Sequence, residues 1–169
     1  MSHWVMRLLR HRRFDERDAQ RLLGAGALQR VQARVAASET SHSGEIRVCV
    51  EAGLPWSYLR RNATPRERAV ALFGKLRVWD TESNNGVLIY LLLAEHAIEI
   101  VADRGLARQV DAAAWQRITG AMKAAFQRGE FEVGLNQAVD AVDVLLREHF
   151  ALAPGELNPN ELTNTPDLR

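Results

Sequence analysis

The sequence predicts an α/β fold, a three-layer α/β/α sandwich with a small mixed central sheet and helices on both faces. Three observations carry this. Eight apolar residues in a row, Val87 to Ala94, follow Asn85-Gly86 and precede a charged break and a second apolar run, "IEIVAD". A membrane-spanning helix needs roughly 20 apolar residues, so a run of eight rich in β-formers reads as a strand buried on both faces. The short "AEHA" connection suits an antiparallel hairpin. Upstream, "EIRVCVE" alternates, with Ile46, Val48 and Val50 on one face and Glu45, Arg47, Cys49 and Glu51 on the other. Between these strands "TPRERAVALFGKLRVW" is helical, and a helical crossover makes the strands it joins parallel.

In chain order, residues 1–13 form a basic N-terminal arm. Arg7 interrupts its apolar residues too early for a secretory signal, and no small-residue cleavage site follows. A short basic amphipathic piece of this kind suits a membrane surface or a partner, with fraying the expected resting state. Residues 15–38 are expected as one helix, capped by Asp15, with Leu22, Leu23, Leu28, Val31 and Val35 as its apolar stripe and a bend at Gly24 and Gly26. "TSHSG" is a turn. After the first strand comes a loop with Pro55, Trp56 and Tyr58. The crossover helix opens with Thr64 as cap, Pro65 in the first position and Glu67 closing a capping box. Beyond Gly105 the chain is helical: a short piece near Leu106–Val110, then a helix capped by Asp111 with Trp115, Ile118, Met122 and Phe126 facing the core. Gly129 stops that helix, and the last one turns Leu135, Val139, Val142 and Leu146 inward. Residues 14–150 make the domain, and residues 151–169 read as a polar, flexible tail.

Composition narrows the function classes. At 169 residues with 47% hydrophobic and 25% charged residues, the chain fits one soluble domain. Residues 1–80 carry 15 basic against 8 acidic residues and residues 81–169 carry 7 against 13, but the basic residues are dispersed, so no nucleic-acid partner is expected. One cysteine excludes an intramolecular disulfide and a thiolate metal cluster. Glycine-rich phosphate loops, HExxH and GxSxG are absent, and the five histidines show no ligand spacing. No catalytic residue is assigned.

The expected topology gathers three segments at one end of the sheet: the start of strand one, the loop into strand two and the end of strand three. Glu45, Asp80, Glu82, Asn84, Asn85 and Asp103 stand there, all hard oxygen donors of the kind calcium or another divalent cation takes. Asp, Asn and Ser are also ordinary turn residues, and Arg104 beside Asp103 supplies a charge of its own. Trp56 and Tyr58, beyond the carboxyl end of strand one, are the ligand-binding candidates of the opposite end, and Arg104 is the candidate anion ligand.

"SGEIRVCVE", "LFGKLRVWDTESNNGVLIYLLLAEHAIEIVADRG", "WQRITGAMKAAFQRGEFEVGLNQAV" and the closing "HF" resemble the TPM domain family, in particular its short bacterial cytoplasmic branch, from about Phe14 to Phe150. The resemblance implies the same α/β/α sandwich, and a family credited with acid phosphatase activity, calcium binding and support of membrane-complex assembly or repair. Many members carry a signal peptide and a membrane helix; neither is read here, so a cytoplasmic location is expected. Glu82, Asn84 and Asn85 match the family's acidic loop with amides where many members carry aspartate. The leading functional expectation is a non-enzymatic binding module serving a protein partner associated with a membrane. The alternative is a calcium-dependent, acid-phosphatase-like hydrolase.

Overall fold

The computed structural model describes residues 3–169. Strand β1 (Ile46–Glu51) runs parallel to β2 (Val87–Leu92), with Ile46 opposite Val87 and Glu51 opposite Leu92. A 3-10 turn, Leu93–Glu95, and His96 in the left-handed conformation (φ 48°) reverse the chain into β3 (Ala97–Ala102), antiparallel to β2. A two-residue β4 (Asp167–Leu168) pairs parallel with β1 at Cys49 and Val50, giving the order β3-β2-β1-β4.

Side-chain alternation sorts the core into two layers. Ile46, Val48, Val50, Val87, Ile89 and Leu91 turn to one face. Helices α2 (Glu16–Leu23), α3 (Ala27–Ser38), α7 (Ala112–Gln127) and α8 (Phe131–Phe150) cover it. Cys49, Leu88, Tyr90, Leu92 and Val101 turn to the other face, under α4 (Trp56–Arg60) and α5 (Pro65–Lys75). This is an α/β/α sandwich. Every residue of β2 is buried, as a central strand covered on both faces must be. The signals that delimit α5 and α7 act as read from the sequence. The Thr64 hydroxyl accepts the Glu67 N–H while the Glu67 side chain reaches back to Thr64 N, and the Asp111 carboxylate accepts the Ala114 N–H at 2.6 Å.

Three expectations are corrected. The helix expected over 15–38 is two: Gly24 (φ 88°) and Gly26 (φ 73°) adopt left-handed backbone that breaks it, and α2 buries Ala19 and Leu23 while Leu22 is exposed. The N-terminal arm, whose first two residues lie outside the described ones, is a docked helix, α1 (His3–Arg13). Arg7 donates to Glu95 (2.7 Å), Asn62 (2.8 Å) and the Ala63 carbonyl (2.6 Å). His11 Nδ1 accepts the Leu54 N–H at 2.9 Å, which puts the ring proton on Nε2, 2.8 Å from the same Glu95 carboxylate. A Cβ at Gly53 would stand 2.8 Å from the His11 carbonyl oxygen, so only glycine lets α1 sit this close. The tail expected to be flexible has fixed partners: it crosses the start of β1 and ends as β4, with Arg169 N donating to Val50 O and Ala52 N to Arg169 O.

Candidate functional site

The topology brings the start of β1, the loop 80–85 and the end of β3 to one end of the sheet. Asp103 follows β3 directly and caps α6 (Arg104–Ala107): its Oδ1 accepts the Arg104 N–H at 2.7 Å. Its Oδ2 is buried without a donor among the described residues. Gly105 N donates to the Asn84 carbonyl at 2.8 Å, and a Cβ at Gly105 would lie 2.5 Å from Asn84 O and 2.6 Å from Ser83 O. The loop and α6 therefore touch only because residue 105 has no side chain. Asn84 turns the loop with a left-handed backbone (φ 51°), and its side-chain oxygen lies 3.5 Å from Arg104 Nη2. Between loop, α5 and α6 opens a cavity of about 670 Å3, into which Asp80, Asn84, Asp103 and Arg104 face beside Phe73 and the exposed Trp79.

Of the six candidate metal donors, this cavity gathers Asp80, Asn84 and Asp103 and leaves out Glu45, Glu82 and Asn85. Glu45 is fully buried and committed to the tail, accepting the N–H groups of Glu161 and Leu162, both at 3.1 Å; burial raises its carboxyl above the ordinary value. Glu82 is exposed, and its N–H donates to Glu161. Asn85 is fully buried, its Nδ2 donating to Ser43 Oγ at 3.2 Å and its Oδ1 unpartnered. Among the described residues no group of three or more His, Cys, Asp or Glu side chains is placed to hold a metal ion. A cation at this cavity would draw on one buried carboxylate oxygen, Asp103 Oδ2, with Asp80 and amide or main-chain oxygens. That set fits the oxygen preference of calcium but carries little charge to hold it tightly.

One residue at this end has no counterpart among the sequence candidates. Glu39, just past α3, is buried; its Oε1 accepts the Ile46 N–H at 2.9 Å and its Oε2 has no donor. Burial, with the neighbouring Glu45 carboxylate adding to it, pushes the Glu39 carboxyl up to about 7. No local pattern marks it: its neighbours Glu45 and Ile46 follow a turn, and Asn164 comes from the tail. Phe73 and Trp79, the apolar wall of the cavity, were likewise read only as parts of the crossover helix, which ends at Lys75 and leaves Trp79 in the loop.

The remaining ligand-binding candidates stand at the opposite end. Trp56 is exposed at the start of α4, edge-on to Trp4 with ring centroids 6.4 Å apart. Tyr58 lies beneath two guanidinium groups, Arg61 at 4.5 Å and Arg68 at 4.8 Å from its ring centre, so it is not a free lip. Trp56 and Tyr58 therefore share no site with Arg104. Here every buried charge is matched. Arg68 grips Glu51 with its closest contact at 2.5 Å, and the Tyr90 hydroxyl donates to Glu51 at 2.6 Å. Cys49 is buried, its thiol 3.4 Å from Asp167, and burial pushes the thiol far up, out of nucleophilic range. His96 is an exposed turn residue, edge-on to Phe131 at 5.4 Å.

The family model of the TPM domain matches residues 17–145. Among solved structures, the BA42 protein of the psychrophilic bacterium Bizionia argentinensis is 26% identical, with a TM-score of 0.72 over 85% of this chain and 93% of that one. The N-terminal domain of a protein from P. gingivalis is 23% identical, with a TM-score of 0.60 over 78% of this chain and 83% of that one, a likeness of fold. No curated protein matches the chain.

Proposed function

Because the chain belongs to the TPM domain family, we propose that it acts as a non-enzymatic binding module that takes its ligand at the cavity between the loop 80–85, α5 and α6. The observation that carries this reading is Asp103, a residue lining the cavity whose Oδ2 is buried and has no donor among the described residues. Leaving such an atom unpaired costs roughly 1–3 kcal/mol, and a ligand that supplies a cation or a hydrogen-bond donor recovers it. Trp79 and Phe73 offer the same ligand an apolar wall, and Arg104 a cationic one. Calcium or another divalent cation fits the oxygen side of the cavity, and a protein partner associated with a membrane fits its mixed chemistry.

The test is the thermal midpoint of the protein in EDTA and with millimolar calcium, magnesium or manganese. A ligand that binds only the folded state raises the midpoint by mass action, about 2–4 °C for each kcal/mol in a chain of this size. A rise specific to one ion, lost in Asp103→Asn, supports the cavity as a cation site. No rise with any ion directs the reading to protein partners. A second reading, a metal-assisted acid-phosphatase-like hydrolase, is favoured by Arg104 facing the same cavity as Asp103 and Asp80, where a guanidinium would neutralise a phosphoryl group. Turnover of an aryl phosphate that persists unchanged in Asp103→Ala would remove this cavity from it.

A further inference from the structure

We propose that α1 is a membrane-docking element whose outer face lays the protein on a bilayer surface bearing anionic headgroups. The inner face of the helix is fixed by Arg7 and His11 on Glu95 and by Trp4 Nε1, 3.4 Å from the Leu59 carbonyl. Helical spacing then turns Met6, Leu9, Arg10 and Arg13 away from the body. Met6 is 53% and Leu9 50% exposed on this outer face, while the edge-on pair of Trp4, 41% exposed, and Trp56, 56% exposed, stands where the helix meets α4. The other exposed large apolar residues are one each from α2, α5, the loop before β2 and the tail, and two, Val133 and Val144, eleven positions apart on α8. Four of the ten exposed large apolar side chains among the described residues thus lie on α1 or against it, where an interaction is expected.

The charge around that patch selects the occupant. The helix sequence HWVMRLLRHRR contains no Asp or Glu, and Arg10, Arg12 and Arg13 are exposed, with no carboxylate partner among the described residues. Exposed Met and Leu set among arginines are what an interfacial helix uses: apolar side chains enter the acyl boundary and guanidinium groups pair with lipid phosphates. A soluble polyanion would satisfy the arginines and leave the apolar side chains in water. The surface lies at the carboxyl end of β1 and β2, away from the cavity at Asp103, so the two proposals fail separately.

The test is co-sedimentation of the full chain with vesicles of phosphatidylcholine alone and of phosphatidylcholine mixed with phosphatidylglycerol. The protein is expected to pellet with the mixed vesicles, less so as salt rises, and to stay in solution with phosphatidylcholine alone. The triple variant Arg10→Gln, Arg12→Gln, Arg13→Gln is expected to lose binding roughly hundredfold, each arginine at the surface contributing about fivefold. The pair Met6→Ser, Leu9→Ser is expected to weaken binding while keeping the thermal midpoint of the parent, because both side chains are outside the core. Asp103→Asn is expected to bind vesicles as the parent does. No pelleting with anionic vesicles, pelleting indifferent to the arginine substitutions, or undiminished binding by the Met6, Leu9 variant would each overturn the proposal.

Discussion

At the carboxyl end of β1 and β2, Glu51 is held by Arg68 and Tyr90, and Glu95 by Arg7 and His11. At the opposite end Glu39, Asn85, Asp103 and Asn164 each keep a buried oxygen with no donor among the described residues; a fifth such oxygen, Asn136 Oδ1, lies apart from them on α8. The same residue types occur at both ends, so composition is not what separates them. The first end is a closed network that fixes α1, α4 and α5 around the sheet. The second keeps buried oxygens that no side-chain or main-chain donor of the described residues satisfies, and these are the atoms an ordered water, an ion or an incoming ligand would pair.

The contrast breaks most visibly at Arg68. Arg68→Ala leaves the buried Glu51 carboxylate without its cation, a loss of ~3–5 kcal/mol, and the thermal midpoint is expected to fall roughly 6–20 °C. Next comes pH, which acts on the two ends with opposite sign. Glu39, raised to about 7 by burial, holds its proton more readily folded than unfolded, so the stability it lends is full below about pH 4.5 and is lost as pH rises through 7. Glu39→Gln is expected to be more stable than the parent at pH 8 by on the order of 3 kcal/mol and equal to it near pH 4.5, measured by urea unfolding at each pH. Glu95 behaves conversely. Burial lifts its carboxyl, but the hydrogen bonds from His11 and Arg7 outweigh burial and hold it below the ordinary value, so its contribution is present above about pH 4.5 and fades as pH falls through the lower folded value. Glu95→Gln is expected to cost about 1–3 kcal/mol at pH 7 and to speed amide exchange along α1, the difference shrinking in acid. The smallest effect belongs to Asp103→Asn. Asparagine caps a helix as well as aspartate, so without added ion the stability is expected to change by less than about 1 kcal/mol, while any ion-dependent rise disappears.

Much of this fold was legible because its signals are local. Thr64, Pro65 and Glu67 delimit α5 within four positions, the buried run from Val87 can only be a central strand, and the crossover between β1 and β2 dictates their parallel pairing. From that pairing the meeting of Asp80, Asn84, Asp103 and Arg104 followed. What stayed hidden depends on distant partners. Arg7 and His11 anchor α1 on a glutamate 88 and 84 residues away, and nothing near them in sequence announces it. Glu45 looked like a free ligand because the backbone N–H groups that occupy it arrive 116 and 117 residues later, on a segment whose polar composition signals disorder. Trp56 and Tyr58 were adjacent to the right strand but belong to the closed end.

That late arrival also orders events during synthesis. Among the described residues the outer edge of β1 is paired only by β4, and Cys49 waits 118 residues for Asp167. At about 5–20 residues per second the ribosome leaves this edge bare for roughly 6–24 s, while the hairpin of β2 and β3 is already made. An unpaired strand edge is a template for another chain. Cutting away residues 163–169 would therefore show first as aggregation of newly made chains, before any change in how the finished protein melts.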